Sequence, residues 1–347
     1  MKAGVILPQG YFDEFDGWDA GRAWDRILHV AELSEKLGFD SLWFGEHVLA
    51  KWDRHALIFD FFTVATGLAA AIPRVAIGFT VVNSTFRNPF LTAKAGATLD
   101  AISGGRLILG LGAGFKPTEA EALGAPFPDI KERLGVLAEH FEIVRRLTRA
   151  NEPPFSYEGQ SAQVHDVTGA PYGVQKGEIP LLIGGHGKNV TFRLAAKYCA
   201  EINIDVSLDD MPEYLGVLKE RCEELGRDPR TLAIGSGTNP AFPYRGLKVT
   251  GSQRMMTQAD MPTVMDSFDI SKLTSRAEEI QASREMGIDR MCCGAPGLAE
   301  TDESLYELVD DLKKAGVVLD RNVPGATLAA TGLWVDRLGA ATAPTLA

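Results

Sequence analysis

Cysteine is scarce: the 347-residue chain holds four, two of them adjacent at Cys292 and Cys293, and none in a CxxC spacing. That excludes a disulfide framework and a thiolate metal site, and leaves buried thiols in a reducing compartment as the expectation. Positive charge is also short. Thirty-five Lys and Arg against 46 Asp and Glu give a formal net charge of -11, which argues against nucleic acid or an anionic membrane surface as the main partner. There is no HExxH and no convincing carboxylate cluster, so no metal is expected. No leader is expected either. Met1-Lys-Ala-Gly-Val-Ile-Leu7 is too short, and too quickly followed by Pro8-Gln9-Gly10, for a signal peptide. It reads as a first strand, and the protein as cytoplasmic.

What is present is an alternation of strand and helix signals. Val75 to Val82 is a short, β-branched apolar run of the kind buried on both faces of a parallel sheet. Asn83-Ser-Thr85 breaks it, and Pro89 sits where a first helical turn accepts proline. Phe90 to Ile102 has helical spacing, Ser103-Gly-Gly105 stops it, and Arg106 to Leu111 is a second buried strand feeding Gly112-Ala-Gly114. This is one βαβ crossover. The same rhythm puts strands at residues 40–44, 179–183, 200–204, 231–235 and 288–293, with helices between them. Eight strands predict a single (β/α)₈ barrel over residues 1–318, active at the loops that follow its strands. Insertions are expected at about 151–178, as a hairpin, and at 236–272. Residues 319–347 form a C-terminal tail that docks either on the barrel or on a second subunit.

Three stretches fall at strand ends. Glu46 and His47 follow the second strand, where His47 is either an acid or base or a satisfied structural histidine. Gly110-Leu-Gly112-Ala-Gly114 lacks the helix and distal acid of a dinucleotide fingerprint, being followed by Phe115-Lys-Pro117. It is either a tight turn or a place where backbone approaches a planar ligand. Gly184-Gly185-His186-Gly187-Lys188-Asn189 lies between a strand and a helix, which suits a phosphate or a simple strand-to-helix turn capped near Asn189. His29, His140 and His165 are read as structural.

Taken together, Asp40-Ser-Leu-Trp-Phe-Gly-Glu-His47, Ser84-Thr-Phe-Arg-Asn-Pro89, the run from Leu99 through Ser103-Gly-Gly-Arg106 to Phe115 with Glu119 and Gly124, and Pro180 to Lys188 resemble the bacterial luciferase-like family. The resemblance covers most of residues 1–235 and resumes at the eighth strand. It implies a (β/α)₈ barrel, often a homodimer, that binds FMN or the deazaflavin coenzyme F420. It further implies a cis peptide at Thr80-Val81 behind the cofactor ring, with Asn83, Thr85, Gly112 and Gly114 near the cofactor. The phosphate falls to Gly184, Gly185, His186, Gly187 and Lys188, and His47 sits near the reactive edge. Two positions depart from the pattern. Phe115 stands where the sugar-phosphate dehydrogenase branch carries a carboxylate, and Ala200-Glu201 replaces an Ala-Asp pair.

The motif style resembles the F420 branch. The expected activity is hydride transfer between F420 and a small organic substrate, with His47 handling a proton and Glu46 orienting it or binding substrate. The alternatives are an FMN-dependent monooxygenase fed by a partner flavin reductase, and a flavin-binding protein without catalysis. Substrate choice is expected from the second and fourth strand-end loops and from residues 236–272. There Met255, Met256, Met261 and Met265 read either as an apolar lid or as part of a disordered or dimer-packing insertion. Phe12, Trp18, Trp52 and Phe115 are candidate walls of an apolar pocket.

Overall fold

The computed structural model describes residues 1–237, 275–295, 297–320 and 330–341. Most of the insertion expected at 236–272, with its four methionines, lies outside the described residues.

Eight parallel strands close on one another. In order around the barrel they are β1 (Lys2–Ile6), β2 (Ser41–Phe44), β3 (Ala76–Phe79), β5 (Leu107–Gly112), β8 (Leu181–Gly184), β9 (Glu201–Asn203), β10 (Ala233–Gly237) and β11 (Arg290–Cys293). The β3–β5 and β11–β1 pairings complete the ring. A two-residue strand, β4 (Val82–Asn83), continues β3 and pairs Val82 with Leu111. The eight-stranded barrel expected from the sequence is therefore the fold.

Helices cover the outside, and their ends follow local chemistry. Asp19 caps α1 (Ala20–Leu37), and Gly38 ends it at φ 96°. Asn88 caps α3 (Pro89–Ser103), with Pro89 in the first turn and Gly104 at φ 69° closing it. The helix α2 is Phe61–Ala71, and α5 is Ile130–Thr148. One helix was not anticipated. Pro117–Leu123, here α4, follows the glycine run directly and ends at Gly124. The remaining helices are α6 (Val190–Tyr198), α7 (Met211–Glu224), α8 (Arg276–Glu285), α9 (Glu303–Lys314) and α10 (Leu333–Ala341). The insertion after α5 is the expected antiparallel hairpin, β6 (Phe155–Glu158) with β7 (Gln163–Val167).

The tail docks on the barrel. Trp334 is fully buried, and its indole N–H donates to Leu232 O at 3.1 Å. Thr331 bonds Asp289 through both its N–H and its hydroxyl.

The barrel interior is filled, and part of that filling is charged. Arg290, fully buried, donates from Nη1 to Glu201 at 2.8 Å and from Nη2 to Asp40 at 3.2 Å. Trp43 packs 5.2 Å from the guanidinium, its indole N–H on Ser41 Oγ. A buried cation survives only where anions and hydrogen bonds replace its water. Burial pushes the Glu201 carboxyl up to about 7, against the pull of Arg290. All four cysteines are buried and free.

Candidate active site

The site lies where the C-terminal strand ends open to solvent. β3 stops at Phe79 and resumes as β4 at Val82, so Thr80 and Val81 bulge between them, and the Thr80–Val81 peptide is cis. The bulge is tied to β2: Thr80 N–H donates to Phe44 O at 2.8 Å, and Glu46 N–H to Val81 O at 3.2 Å.

The glycines beside it have a specific job. A Cβ at Gly112 would lie 2.3 Å from Val81 Cγ2, and one at Gly184 would lie 2.8 Å from Val81 Cγ1. A Cβ at Gly114, where φ is +71°, would lie 2.5 Å from Asn83 Oδ1. Val81 and Asn83 thus pack directly on the glycine run, which in sequence reads as backbone close to a ligand or as a tight turn. Neither side chain could sit where it does against a residue with a β-carbon. Asn83 is itself committed: its Oδ1 accepts from Thr85 N–H at 3.0 Å and from the Thr85 hydroxyl at 2.8 Å.

Glu46 does not orient His47, a correction to the reading from sequence. One of its oxygens accepts from Asn83 N–H at 2.6 Å and the other from Arg87 Nε at 2.6 Å. The side chain is nearly sealed, and Arg87 reaches on to Asp60 at 3.4 Å. Burial raises the Glu46 pKa, with Arg87 and the Asn83 N–H opposing it. Glu46 therefore fixes the bulge to α3.

The partner of His47 is Glu119, on the unanticipated α4. His47 Nδ1 lies 3.1 and 3.3 Å from its two oxygens, and Val48 N–H donates to the first at 3.2 Å. Tyr11, from the loop after β1, stacks on the imidazole at 3.5 Å with an interplanar angle of 10°. Phe115 meets it edge-on at 5.9 Å. The Lys116 ammonium lies 4.4 Å from the Tyr11 ring centroid. Burial lowers the His47 pKa, and the charges of Lys116 and Lys51 add to that, while Glu119 opposes it. Burial would raise Glu119, but the His47 hydrogen bond and charge, with Lys116 and the Val48 N–H, hold it below its ordinary value. At neutral pH the pair is a carboxylate beside a neutral imidazole.

Nothing in local sequence pattern joins residues 72 apart; the only signal for Glu119 was its place among the family-like residues. Of the candidate walls, Phe115 and Trp52 are at this mouth, with Lys51 over Phe12 and Trp52. Trp18 is elsewhere, packed on Phe15 under Arg22.

Across the mouth, β8 ends at Gly184, Gly185 takes φ +127°, and α6 begins at Val190. Asn189 makes no side-chain cap, and of the first-turn N–H groups of α6 that of Phe192 donates to Gly187 O at 3.1 Å. A Cβ at Gly187 would meet Thr191 Oγ1 at 2.7 Å, so that turn also requires glycine. An uncapped helix start behind a glycine turn fits a phosphate. Lys188 is paired with Glu213 and stands 4.2 Å over the Tyr214 ring, while His186 meets Tyr214 edge-on at 5.9 Å. The charge of Lys188 is thus already shared. Among the described residues, no cluster of three or more His, Cys, Asp or Glu is arranged for a metal, and no helix is long and apolar enough to cross a membrane.

A histidine–carboxylate pair and an uncapped, glycine-rich helix start thus share the C-terminal mouth of a parallel (β/α)₈ barrel, the face on which such barrels carry their active sites. Residues 4–242 match the profile of the luciferase-like monooxygenase family, and the chain belongs to that family. It is 34% identical over 137 residues to the 4-hydroxyprotoasukamycin monooxygenase of Streptomyces nodosus subsp. asukaensis, covering 40% of this chain and 35% of the relative. It is 38% identical over 141 residues to an F420-dependent glucose-6-phosphate dehydrogenase of Intrasporangium calvum, covering 39% and 41%. The chain thus spans well under half the length of these curated relatives. A long-chain alkane monooxygenase structure superposes with a TM-score of 0.70 at 14% identity, covering 98% of this chain and 95% of that one, which speaks for the fold alone.

Proposed function

We propose that this protein is an F420-dependent oxidoreductase moving hydride between the deazaflavin and a small organic substrate, with His47 exchanging the accompanying proton. The observation that carries the reading is the His47–Glu119 pair at the barrel mouth, within a few residues of the Val81 bulge and the Phe115 edge. A hydride leaving or reaching carbon next to oxygen or nitrogen requires a proton to move at that heteroatom, and a neutral imidazole backed by a carboxylate suits that transfer. The stretch of similarity to an F420-dependent relative supports the cofactor choice.

Bound at the mouth, the deazaflavin supplies a carbon that accepts or gives up hydride and reacts poorly with oxygen. Val81, seated on Gly112 and Gly184, would hold its ring, and the turn from Gly185 to Lys188 with the start of α6 would hold its phosphate. Phe115 offers an exposed apolar edge, so the substrate we favour is less polar than a sugar phosphate. We also propose a homodimer, which light scattering on purified protein tests directly.

Titrating the purified protein with F420 and separately with FMN, followed by fluorescence quenching, tests the cofactor. Micromolar binding of F420 is expected. Binding of FMN alone would overturn the reading in favour of a monooxygenase served by a reductase. His47→Asn should abolish most hydride transfer while sparing cofactor affinity; unchanged turnover removes His47 from the mechanism.

A further inference from the structure

We propose that Glu119 is a positioning residue that holds neutral His47 as its Nδ1–H tautomer, leaving Nε2 as the proton acceptor at the barrel mouth. This deepens the reading above and rests on it for the claim that His47 exchanges a proton with substrate.

An ionised carboxylate only accepts hydrogen bonds, so the proton between Glu119 and His47 belongs to the ring. Both oxygens lie within 3.1 to 3.3 Å of Nδ1, which assigns that proton to Nδ1. Nε2 has no hydrogen-bond partner among the described residues, and 14% of the side chain remains open to solvent. The remaining nitrogen therefore keeps an unshared lone pair.

Three features hold this arrangement. Glu119 is 2% exposed, and the Val48 N–H anchors the same oxygen that faces Nδ1. Pro117 starts α4 two residues earlier and Gly124 ends it, which places Glu119 in a short, defined turn. Stacking of Tyr11 at 3.5 Å keeps the imidazole in plane, so a half-turn of the ring that set carbon against the carboxylate is resisted from both sides. The groups facing the ring are Glu119 from α4, Phe115 and Lys116 just before it, Lys51 from the loop after β2, and Tyr11 from the loop after β1. Two cations and burial disfavour the imidazolium, and among the described residues Glu119 stabilises it. A proton taken at Nε2 creates a charge directly opposed by the carboxylate across the ring, the arrangement an orienting acid provides to a catalytic histidine.

The test uses the cofactor-free full-length chain, so its result does not depend on whether F420 or FMN binds. Imidazole nitrogen shifts of ¹⁵N-histidine protein are read by NMR against pH. In the native protein, neutral His47 should show a protonated Nδ1 and a bare Nε2. Glu119→Gln can both accept from and donate to Nδ1, so it should mix the tautomers and lower the proton affinity of His47 about tenfold, one pH unit. With cofactor and substrate, the same variant should shift the acid limb of kcat/KM to lower pH by that amount and reduce kcat more than it changes KM. Glu119→Asp, which keeps the charge, should restore part of both. A native His47 protonated at Nε2 overturns the proposal without any variant. So does a folded Glu119→Gln protein with unchanged tautomer and titration. Binding of FMN alone, with the tautomer as expected, would defeat the cofactor reading and leave this one standing.

Discussion

If the glycine run exists to seat Val81, then Gly112→Ala should be destabilising, and shortening Val81 should relieve it. The new β-carbon would lie 2.3 Å from Val81 Cγ2, 3.2 Å from Val81 Cβ and 3.7 Å from Cγ1. Carbon atoms at ease sit roughly 3.5–4.0 Å apart, so the first contact is short by more than an ångström. Overpacking of that kind costs about 1–3 kcal/mol. At roughly 2.1 cal/mol/K of unfolding entropy per residue, a chain of this length loses on the order of 1.4 °C of Tm per kcal/mol, so a fall of about 1.5–4 °C is expected. Val81→Ala removes both γ-carbons and leaves only the 3.2 Å approach of the two β-carbons, which a shift of a few tenths of an ångström relieves. The Gly112→Ala/Val81→Ala double variant should therefore be more stable than the sum of its single effects by at least about 0.5 kcal/mol. Scanning calorimetry or denaturant melts of the four proteins measure this. Additive effects, or a Gly112→Ala protein as stable as the native one, would refute the assignment and return the glycines to direct ligand contact.

Three further outcomes follow from buried contacts. Arg290→Met strands Glu201 and Asp40 without their cation and should cost about 3–5 kcal/mol, much of it recovered by adding Glu201→Leu, as read from denaturant midpoints. Because the Glu201 carboxyl is pushed up to about 7 from an ordinary 4.5, the native state keeps a proton that the unfolded chain has lost. Its contribution is full below 4.5 and disappears as pH rises through about 7, and Glu201→Gln should flatten that part of the stability profile. Trp334→Ala should remove about 3–5 kcal/mol of tail docking and speed proteolytic release of the C-terminal helix, whose indole anchor on Leu232 is lost.

Much of the architecture was legible locally. Apolar runs of β-branched residues, Asp19, Asn88 and Ser275 as helix caps, and glycines at helix ends each encode their element within a few neighbouring residues. Alternation of those elements points to a parallel α/β sheet, its eight strands to a barrel, and a barrel places the site at its strand ends. His47 and the glycine turn after β8 were reachable that way, while the Val81 bulge and its cis peptide were marked by the family resemblance alone.

Pairings across the barrel were decided only by tertiary structure. Glu46 and Glu119 are both acids near His47, and the sequence favours the adjacent one. The fold turns Glu46 toward Asn83 and Arg87 and brings α4 over the mouth, so the distant carboxylate holds the imidazole. Likewise only the fold brings Val81 and Asn83 into the space where β-carbons of Gly112 and Gly114 would stand. The reason is physical: helix and strand periodicity is written over a few residues. Which side chains meet inside a closed barrel depends on strand register and loop paths that bring residues 40 or more positions apart within hydrogen-bond reach.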